Sequence, residues 1–298
     1  MIKIDGIDVS NYQDNIDWAK VKASGKKFAI IKLGYAGYDG AIDINKKFKV
    51  NIEGALKSGI DVGVYVYAYT KNPVAARRAA QETLKLVKPY KLTYPICFDV
   101  EETKLKCLTE QGRTGLPTTI SAFLDEIEKA KYYGMLYTYT SFAQSYLDMT
   151  KLSKYDLWIA DYREPSGTKC PYTGSFGIWQ YRGGSNGRCE GISTPCDLNI
   201  AYKDYPAIIR NAKLNNLVEI PIVENPVEKP KDNEENLEDI NALKSEIAEF
   251  GKQVASLIKA NDTLNATNKE QTNQIKVLQD VIDKQKNKID QAFEILSK

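Results

Sequence analysis

Histidine is missing from this sequence altogether, and that absence removes several catalytic toolkits at once. Without imidazole there is no Ser-His or Cys-His pair and no His-bearing zinc site. Zinc amidases and cysteine-histidine peptidases of the usual kind are therefore excluded. Cysteine is scarce: Cys97, Cys107, Cys170, Cys189 and Cys196 include no CxxC spacing, so neither a zinc knuckle nor a redox pair is indicated. Buried free thiols are the expected state. A Cys189 to Cys196 bridge stays open, and the odd count argues against a full disulfide framework. Long apolar runs are absent too. No stretch approaches the ~20 residues that cross a bilayer. The opening MIKIDGIDVSNYQ mixes charged with apolar residues, so neither a signal peptide nor a membrane anchor is expected. Synthesis in the cytoplasm follows, with release by something other than the general secretory route.

With imidazole gone, proton transfer near neutral pH falls mainly to carboxylates in perturbed environments. The chain has 39 of them, and glycoside hydrolysis is a natural chemistry for such a set. No metal or other cofactor is called for. The apolar fraction of 43% is ordinary for a globular protein, and 298 residues leave room for one large domain plus an appendage.

Residues 1–212 alternate short β-branched and aromatic runs with amphipathic stretches, the pattern of a repeated βα architecture. Eight strands are predicted: IDGIDVS, KFAIIKLGY, DVGVYVYAYT, YPICFDVE, MLYTYT, YDLWIADY, FGIWQY and ISTPCDLN. Helical patterns fill residues 43–58, 73–87 and 118–133, while the later connections are too short for full helices. The fold class is α/β, a modified (β/α) barrel with an incomplete helix complement. Residues 213–239 form a linker, and its stretch 219–239 holds three prolines and eight acidic against two basic side chains. Residues 1–218 carry 30 basic and 23 acidic side chains, a net charge of +7 that the overall +2 conceals. Such a domain suits an anionic polymer. No helix-turn-helix, RNP or zinc-finger pattern accompanies the charge, so nucleic acid is not the expected partner.

From Ile240 to Leu296 apolar or amide residues recur at spacings of three and four, an unbroken heptad register across residues 240–298. A single helix with so narrow a stripe cannot bury it alone, so an α-helical coiled coil is expected.

Asp99 and Glu101 end YPICFDVE, which reads as a strand buried on both sides. A period of two sets the carboxylates on one face about 7 Å apart. Alone, they could simply reach solvent or cap the next segment. Context favours function, because catalytic groups in a βα barrel sit at the C-terminal ends of strands. Asp8 ends the first predicted strand and Asp197 the last, and these strands are neighbours in a closed barrel. Four carboxylates at one mouth raise one another's pKa values, keeping at least one protonated near neutral pH. Taken singly, Asp8 and Asp197 fit turn or capping roles. Aromatics cluster at the same strand ends, and flat rings with a polar edge suit sugar faces. Tyr35, Tyr67, Tyr139, Trp158, Tyr162 and Trp179 are the expected substrate contacts.

GIDVSNYQ, AIIKLGY, DVGVYVYAY, FDVE, LWIADY, IWQY and PCDLN occur in that order across nearly all of residues 1–210. In this the sequence resembles the glycoside hydrolase family 25 muramidases, the family of many phage endolysins. The resemblance implies a barrel with fewer than eight helices that hydrolyses the β-1,4 bond between N-acetylmuramic acid and N-acetylglucosamine. It places the acidic set on Asp8, Asp99, Glu101 and Asp197, and puts Tyr67, Trp158 and Tyr162 among the substrate contacts. The partner would be peptidoglycan, with a Gram-positive wall matching the cationic domain, and host lysis by a phage would supply the release route. A coiled coil departs from the wall-binding repeats often appended in this family. A retaining route through the substrate's 2-acetamido group, with Asp99 orienting it, competes with an inverting route through a water activated by Asp8 or Asp197. The rival from another class is a non-catalytic wall-binding or virion-structural protein, against which the four intact acids argue. A chitinase would show a DxxDxDxE run, and none is present.

The coiled-coil reading carries its own test. Asn261 and Asn268 share one seam position, which favours two parallel strands in register, so the full-length chain should be a homodimer of modest affinity. Light scattering should report twice the chain mass for the full protein and a monomer after deletion of residues 230–298. A full-length monomer at micromolar concentration would mean the segment folds back or binds another partner.

Overall fold

Alternating apolar runs of this length can close on themselves, and they do. A computed structural model of the protein describes residues 2–217; the linker stretch 219–239 and the coiled coil 240–298 lie outside the described residues. In chain order the elements are β1 (Ile4–Val9), α1 (Trp18–Ala23), β2 (Phe28–Ala36), β3 (Ile42–Ile44), α2 (Phe48–Lys57), β4 (Asp61–Ala68) and α3 (Pro73–Val87). Then come β5 (Ile96–Asp99), α4 (Gly112–Lys129), β6 (Gly134–Tyr139), α5 (Thr140–Tyr146), β7 (Asp156–Ala160), β8 (Ile178–Arg182), β9 (Asp197–Ala201) and α6 (Tyr205–Asn211). The strand order β1-β9-β8-β7-β6-β5-β4-β2, closed by the β1–β2 pairing, is an eight-stranded barrel. All eight expected strands are in it. The connections from β7 to β8 and from β8 to β9 carry no α-helix, which is the incomplete helix complement expected.

A strand's period of two explains the layering. Outward residues such as Val64, Phe98, Leu136 and Ile159 are fully or almost fully buried under the helices. In α4 the buried residues Leu116, Ile120, Phe123, Leu124 and Ile127 recur at helical spacing, and Phe123 stacks on Phe98 with ring centroids 4.0 Å apart. Inward residues fill the lower barrel with Phe28, Ile30, Cys97, Met135 and Ile178. Gly6 is there for room: a Cβ on it would lie 2.4 Å from the Phe28 ring. Below, α6 brings Tyr205 to the buried side chain of Asp156, whose Oδ2 accepts from the Tyr205 hydroxyl at 2.7 Å and from Lys203 Nζ at 2.9 Å.

Three expectations are corrected. Residues 43–47 are not helical: Ile42 and Ile44 form β3, antiparallel to the end of β2, and the helix begins at Phe48. Backbone pairing of Ile42–Ile44 with Gly34–Ala36 covers the edge of β2 beyond its pairing with β1. The last strand begins, rather than ends, at Asp197 and runs antiparallel to both neighbours. An antiparallel return needs no crossover to the far end of the barrel, and the connection from β8 carries only a 3-10 turn. Finally, residues 213–217 belong to the barrel domain rather than to a linker. Asn215 is fully buried and donates from Nδ2 to the carbonyl of Leu92 at 2.9 Å, while its Oδ1 accepts from the backbone N–H of Tyr133 at 2.8 Å.

The five cysteines are free thiols, with Cys97, Cys189 and Cys196 buried. Among the described residues no helix is long and apolar enough to cross a membrane.

Candidate active site

The mouth of the barrel is where the inward register turns polar. Asp8 on β1, Lys32 on β2, Asp99 on β5, Gln180 on β8 and Asn199 on β9 are all buried. Asp8 lies directly opposite Asp197 in the β1–β9 ladder. This puts Asp197 at the mouth from the N-terminal end of a reversed strand, the same level that Asp8 reaches from the C-terminal end of a forward one. Past β5 the chain stays extended, because the N–H of Val100 donates to the Tyr137 carbonyl at 2.9 Å and the Thr138 hydroxyl donates to the Val100 carbonyl at 2.8 Å. Glu101 therefore keeps the inward register of Asp99. Asp8, Asp99, Glu101 and Asp197 line one cavity of about 190 Å³, together with Tyr67 and Trp158.

Hydrogen bonds fix half of this set. Asp8 Oδ2 accepts from Gln180 Nε2 at 2.7 Å and from Asn199 Nδ2 at 2.8 Å. Gln180 Oε1 in turn accepts from the hydroxyls of Tyr137 and Tyr162, at 2.9 and 2.5 Å. Asn199 Oδ1 accepts from Trp158 Nε1 at 2.8 Å. Asp197 Oδ1 accepts from the backbone N–H of Gly184 at 3.1 Å. Gly183 is needed beside it, since a Cβ there would lie 2.5 Å from the Tyr162 hydroxyl and 2.9 Å from Asp197 Oδ1. Asp99 differs: its Oδ1 is buried and, among the described residues, has no partner. A buried acceptor without a donor is costly unless something else supplies one.

Electrostatics follow from the enclosure. Burial, then the charge of Asp197, push Asp8 well above the ordinary carboxylate range, against the hydrogen bonds it accepts. Burial and then Glu101 do the same to Asp99, with Lys32 opposing. Burial lifts Glu101 to about 7, although Lys32 pulls it down, while Asp197 and Glu102 push it up. Asp197 is raised by burial against the Gly184 N–H. The cation of Lys32 lies over the rings of Tyr35 at 3.7 Å and Tyr67 at 4.8 Å. A bulge in β2 between Lys32 and Gly34 makes this possible by shifting the parity of the strand, so that Lys32 and Tyr35 share a face.

Of the six aromatics expected at the site, Tyr67 and Trp158 line the central cavity. Trp158, with 1% exposure, is its floor rather than an open platform. Tyr139 and Tyr162 line an adjoining cavity that shares Glu101, and Tyr35 lines an open hollow on the other side with Tyr69. Trp179 is elsewhere. It points outward from β8, fully buried in the layer under the helices, and its Nε1 donates to the Asp161 carbonyl at 2.9 Å. The period of two that turns Gln180 inward turns Trp179 out, so it does not fit a substrate contact. Sequence reasoning passed over Lys32, Gln180, Asn199 and also Glu102, which accepts from the Tyr67 hydroxyl at 3.1 Å. The signal was present: like Asp99, the first three are polar residues in the register of an otherwise buried strand.

A barrel whose strand ends gather four carboxylates round one cavity is the architecture on which carboxylate-dependent glycosidases are built. The family model described as glycosyl hydrolases family 25 matches residues 7–192. The chain belongs to that family. The autolytic lysozyme of Clostridium acetobutylicum is 26% identical over 194 residues, 65% of this chain and 54% of that protein. Among solved structures, the modular autolysin LytC from Streptococcus pneumoniae is 30% identical with a TM-score of 0.58, covering 67% of this chain and 47% of its own. A family 25 glycosyl hydrolase from Bacillus anthracis is 25% identical with a TM-score of 0.57, covering 70% of this chain and 92% of its own. The chain thus spans about half the length of the clostridial and pneumococcal relatives.

Because the acids titrate higher in the folded than in the unfolded chain, the folded state binds more protons between the ordinary carboxylate range and pH 7. Stability therefore falls as pH rises through that window. Glu101→Gln removes one contributor and should stabilise the protein by about 1–3 kcal/mol at pH 8, with no gain at pH 4. Urea denaturation at the two pH values measures this. Equal stability of parent and variant at pH 8 would show that Glu101 ionises in the folded state without penalty.

Proposed function

We propose that the chain is an N-acetylmuramidase that hydrolyses the β-1,4 bond between N-acetylmuramic acid and N-acetylglucosamine in bacterial peptidoglycan. One observation carries the reading: Glu101, poised at about 7, shares the cavity with an Asp99 oxygen that is buried and unpartnered. A general acid near neutrality and a vacant acceptor beside it match the two demands of substrate-assisted cleavage. Glu101 donates its proton to the glycosidic oxygen as the bond to C1 breaks. The oxygen of the substrate's 2-acetamido group closes on C1, and Asp99 accepts that group's N–H while its nitrogen gains positive charge. Water then attacks C1, gives its proton to the Glu101 carboxylate and reopens the ring, so the anomeric configuration is retained. Asp197 and Glu102 add to burial in favouring a protonated Glu101, while Gln180 and Asn199 hold Asp8 in place beside them. Tyr35, Tyr67, Tyr139 and Tyr162 supply ring faces and hydroxyls along the glycan.

Family membership supports the wall as substrate, as do a relative named for autolytic lysozyme activity and the pneumococcal autolysin solved in complex with a synthetic peptidoglycan ligand. The excess of basic residues in the barrel domain favours an anionic Gram-positive wall, and a phage endolysin role in host lysis fits that substrate.

Digestion of purified peptidoglycan should yield fragments with muramic acid reducing ends by mass spectrometry. Glu101→Gln should lower the rate by about 10²–10⁴-fold, Asp99→Asn should be strongly impaired, and the parent's kcat/KM should fall as pH rises above about 7, where Glu101 loses its proton. Glucosamine reducing ends, or a Glu101→Gln protein that still clears wall suspensions, would overturn the assignment.

Stereochemistry is tested separately by proton NMR of the anomer first released from a soluble muropeptide oligomer. The β-anomer is expected. An initial α-anomer would transfer the base role to Asp8 or Asp197 and a bound water.

A further inference from the structure

Beyond Glu101 the groove opens into a second cavity of about 390 Å³, whose far wall includes Ser141, Gln144, Asp161 and Arg163. Its chemistry differs from that of the central site. Asp161 follows β7 and is buried, yet it is fully partnered. Its Oδ1 accepts from Arg163 Nε at 2.9 Å, and its Oδ2 accepts from Arg163 Nη2 at 2.6 Å and from the Thr140 hydroxyl at 2.7 Å. The Arg163 hydrogen bonds hold this carboxyl below its ordinary range, against burial. The result is a guanidinium fixed in plane at the cavity wall by two parallel bonds, although its own side chain is 64% exposed.

A lysine would balance the charge of Asp161 equally well; what arginine adds is a second edge. Among the described residues Nη1 of Arg163 has no partner, and it is oriented by the bonds on the other edge. Exposed Ser141 and Gln144 bring a hydroxyl and a carboxamide whose side-chain atoms also lack protein partners. Outside the lining residues, the Arg113 guanidinium donates to the backbone carbonyl of Gln144. A preformed cationic fork beside amide and hydroxyl groups recognises a carboxylate on a peptide better than it recognises a neutral sugar.

We infer that this cavity binds the acidic peptide stem carried by the muramyl residue, with Arg163 pairing a free stem carboxylate and Gln144 and Ser141 meeting the neighbouring amides. The inference rests on the muramidase reading, under which Glu101 sits at the bond next to a peptide-bearing sugar. The glycan of a stem-bearing strand has no free carboxylate of its own, since the lactyl group is tied up as an amide. An ionic partner for Arg163 therefore lies on the peptide.

The test compares kcat/KM of the full chain on two synthetic muropeptide oligomers of equal glycan length, one with free-acid stems and one with the same stem carboxylates amidated. The parent should prefer the free acid by about tenfold. Arg163→Ala should collapse the preference toward unity, with retained fold checked by circular dichroism. Gln144→Glu, an exposed change that threatens no buried contact, should reduce it as well by repelling the carboxylate. A parent without preference, an Arg163→Ala protein that keeps it, or equal loss on both substrates would overturn the inference, the last by showing that the cavity holds sugar. A parent that cleaves neither oligomer would instead bring down the muramidase reading on which it rests.

Discussion

Enclosing ionisable groups in a barrel mouth is the constraint on which the rest of this structure depends. A closed sheet of eight strands gives the inward residues nowhere else to go, so Asp8, Lys32, Asp99 and Asp197 share a volume far smaller than their hydration shells require. Charges in such a space can be neutralised, paired or given fixed dipoles. All three are used. Burial pushes the carboxyls toward their neutral forms, Lys32 sits among aromatic rings at one side, and Gln180 and Asn199 present amide dipoles to Asp8 at the other.

These devices work only if the surrounding groups do not move. The relay from Tyr137 and Tyr162 through Gln180 to Asp8, with Trp158 holding Asn199, ties β1, β6, β7, β8 and β9 together at one level. Each member satisfies the next, so no buried polar atom in the relay is left to water. Asp99 Oδ1 stands out against that background. With Asp8 and Asp197 held by fixed donors, this open buried acceptor is free to take a donor from a bound molecule. The outer layer offsets the penalty of the polar interior, through contacts such as the Phe98–Phe123 stack one residue away from Asp99.

The reversed β9 is part of the same design. A forward strand there would demand a crossover back to the far end of the barrel and would bring its C-terminal end to the mouth. Reversal instead brings the first residue, Asp197, opposite the last inward residue of β1. Two like charges facing across a ladder are unfavourable, and here the charge of Asp197 adds to burial in raising the pKa of Asp8. Bulges in β2 and β8 lie at the same level, where they re-aim side chains that strict alternation would send outward.

Much of this was legible in the order of residues. Periodicity alone located seven of the eight barrel strands, because inward and outward faces are both buried and each reads as a compact apolar run between turn residues; the last was placed a few residues too early. The lack of histidine pointed to carboxylates, and placing Asp8, Asp99 and Glu101 at strand ends needed only local spacing. What the chain order could not supply was anything that depends on closure. The direction of β9, the parity shift that unites Lys32 with Tyr35, the outward turn of Trp179 and the pairing of Gln180 with Asp8 across 172 positions of sequence are set by which strands meet and in what register. A local pattern determines which residues can face together; only the closed barrel decides which of them share one small, water-poor space, and the pKa of Glu101 is a property of that space.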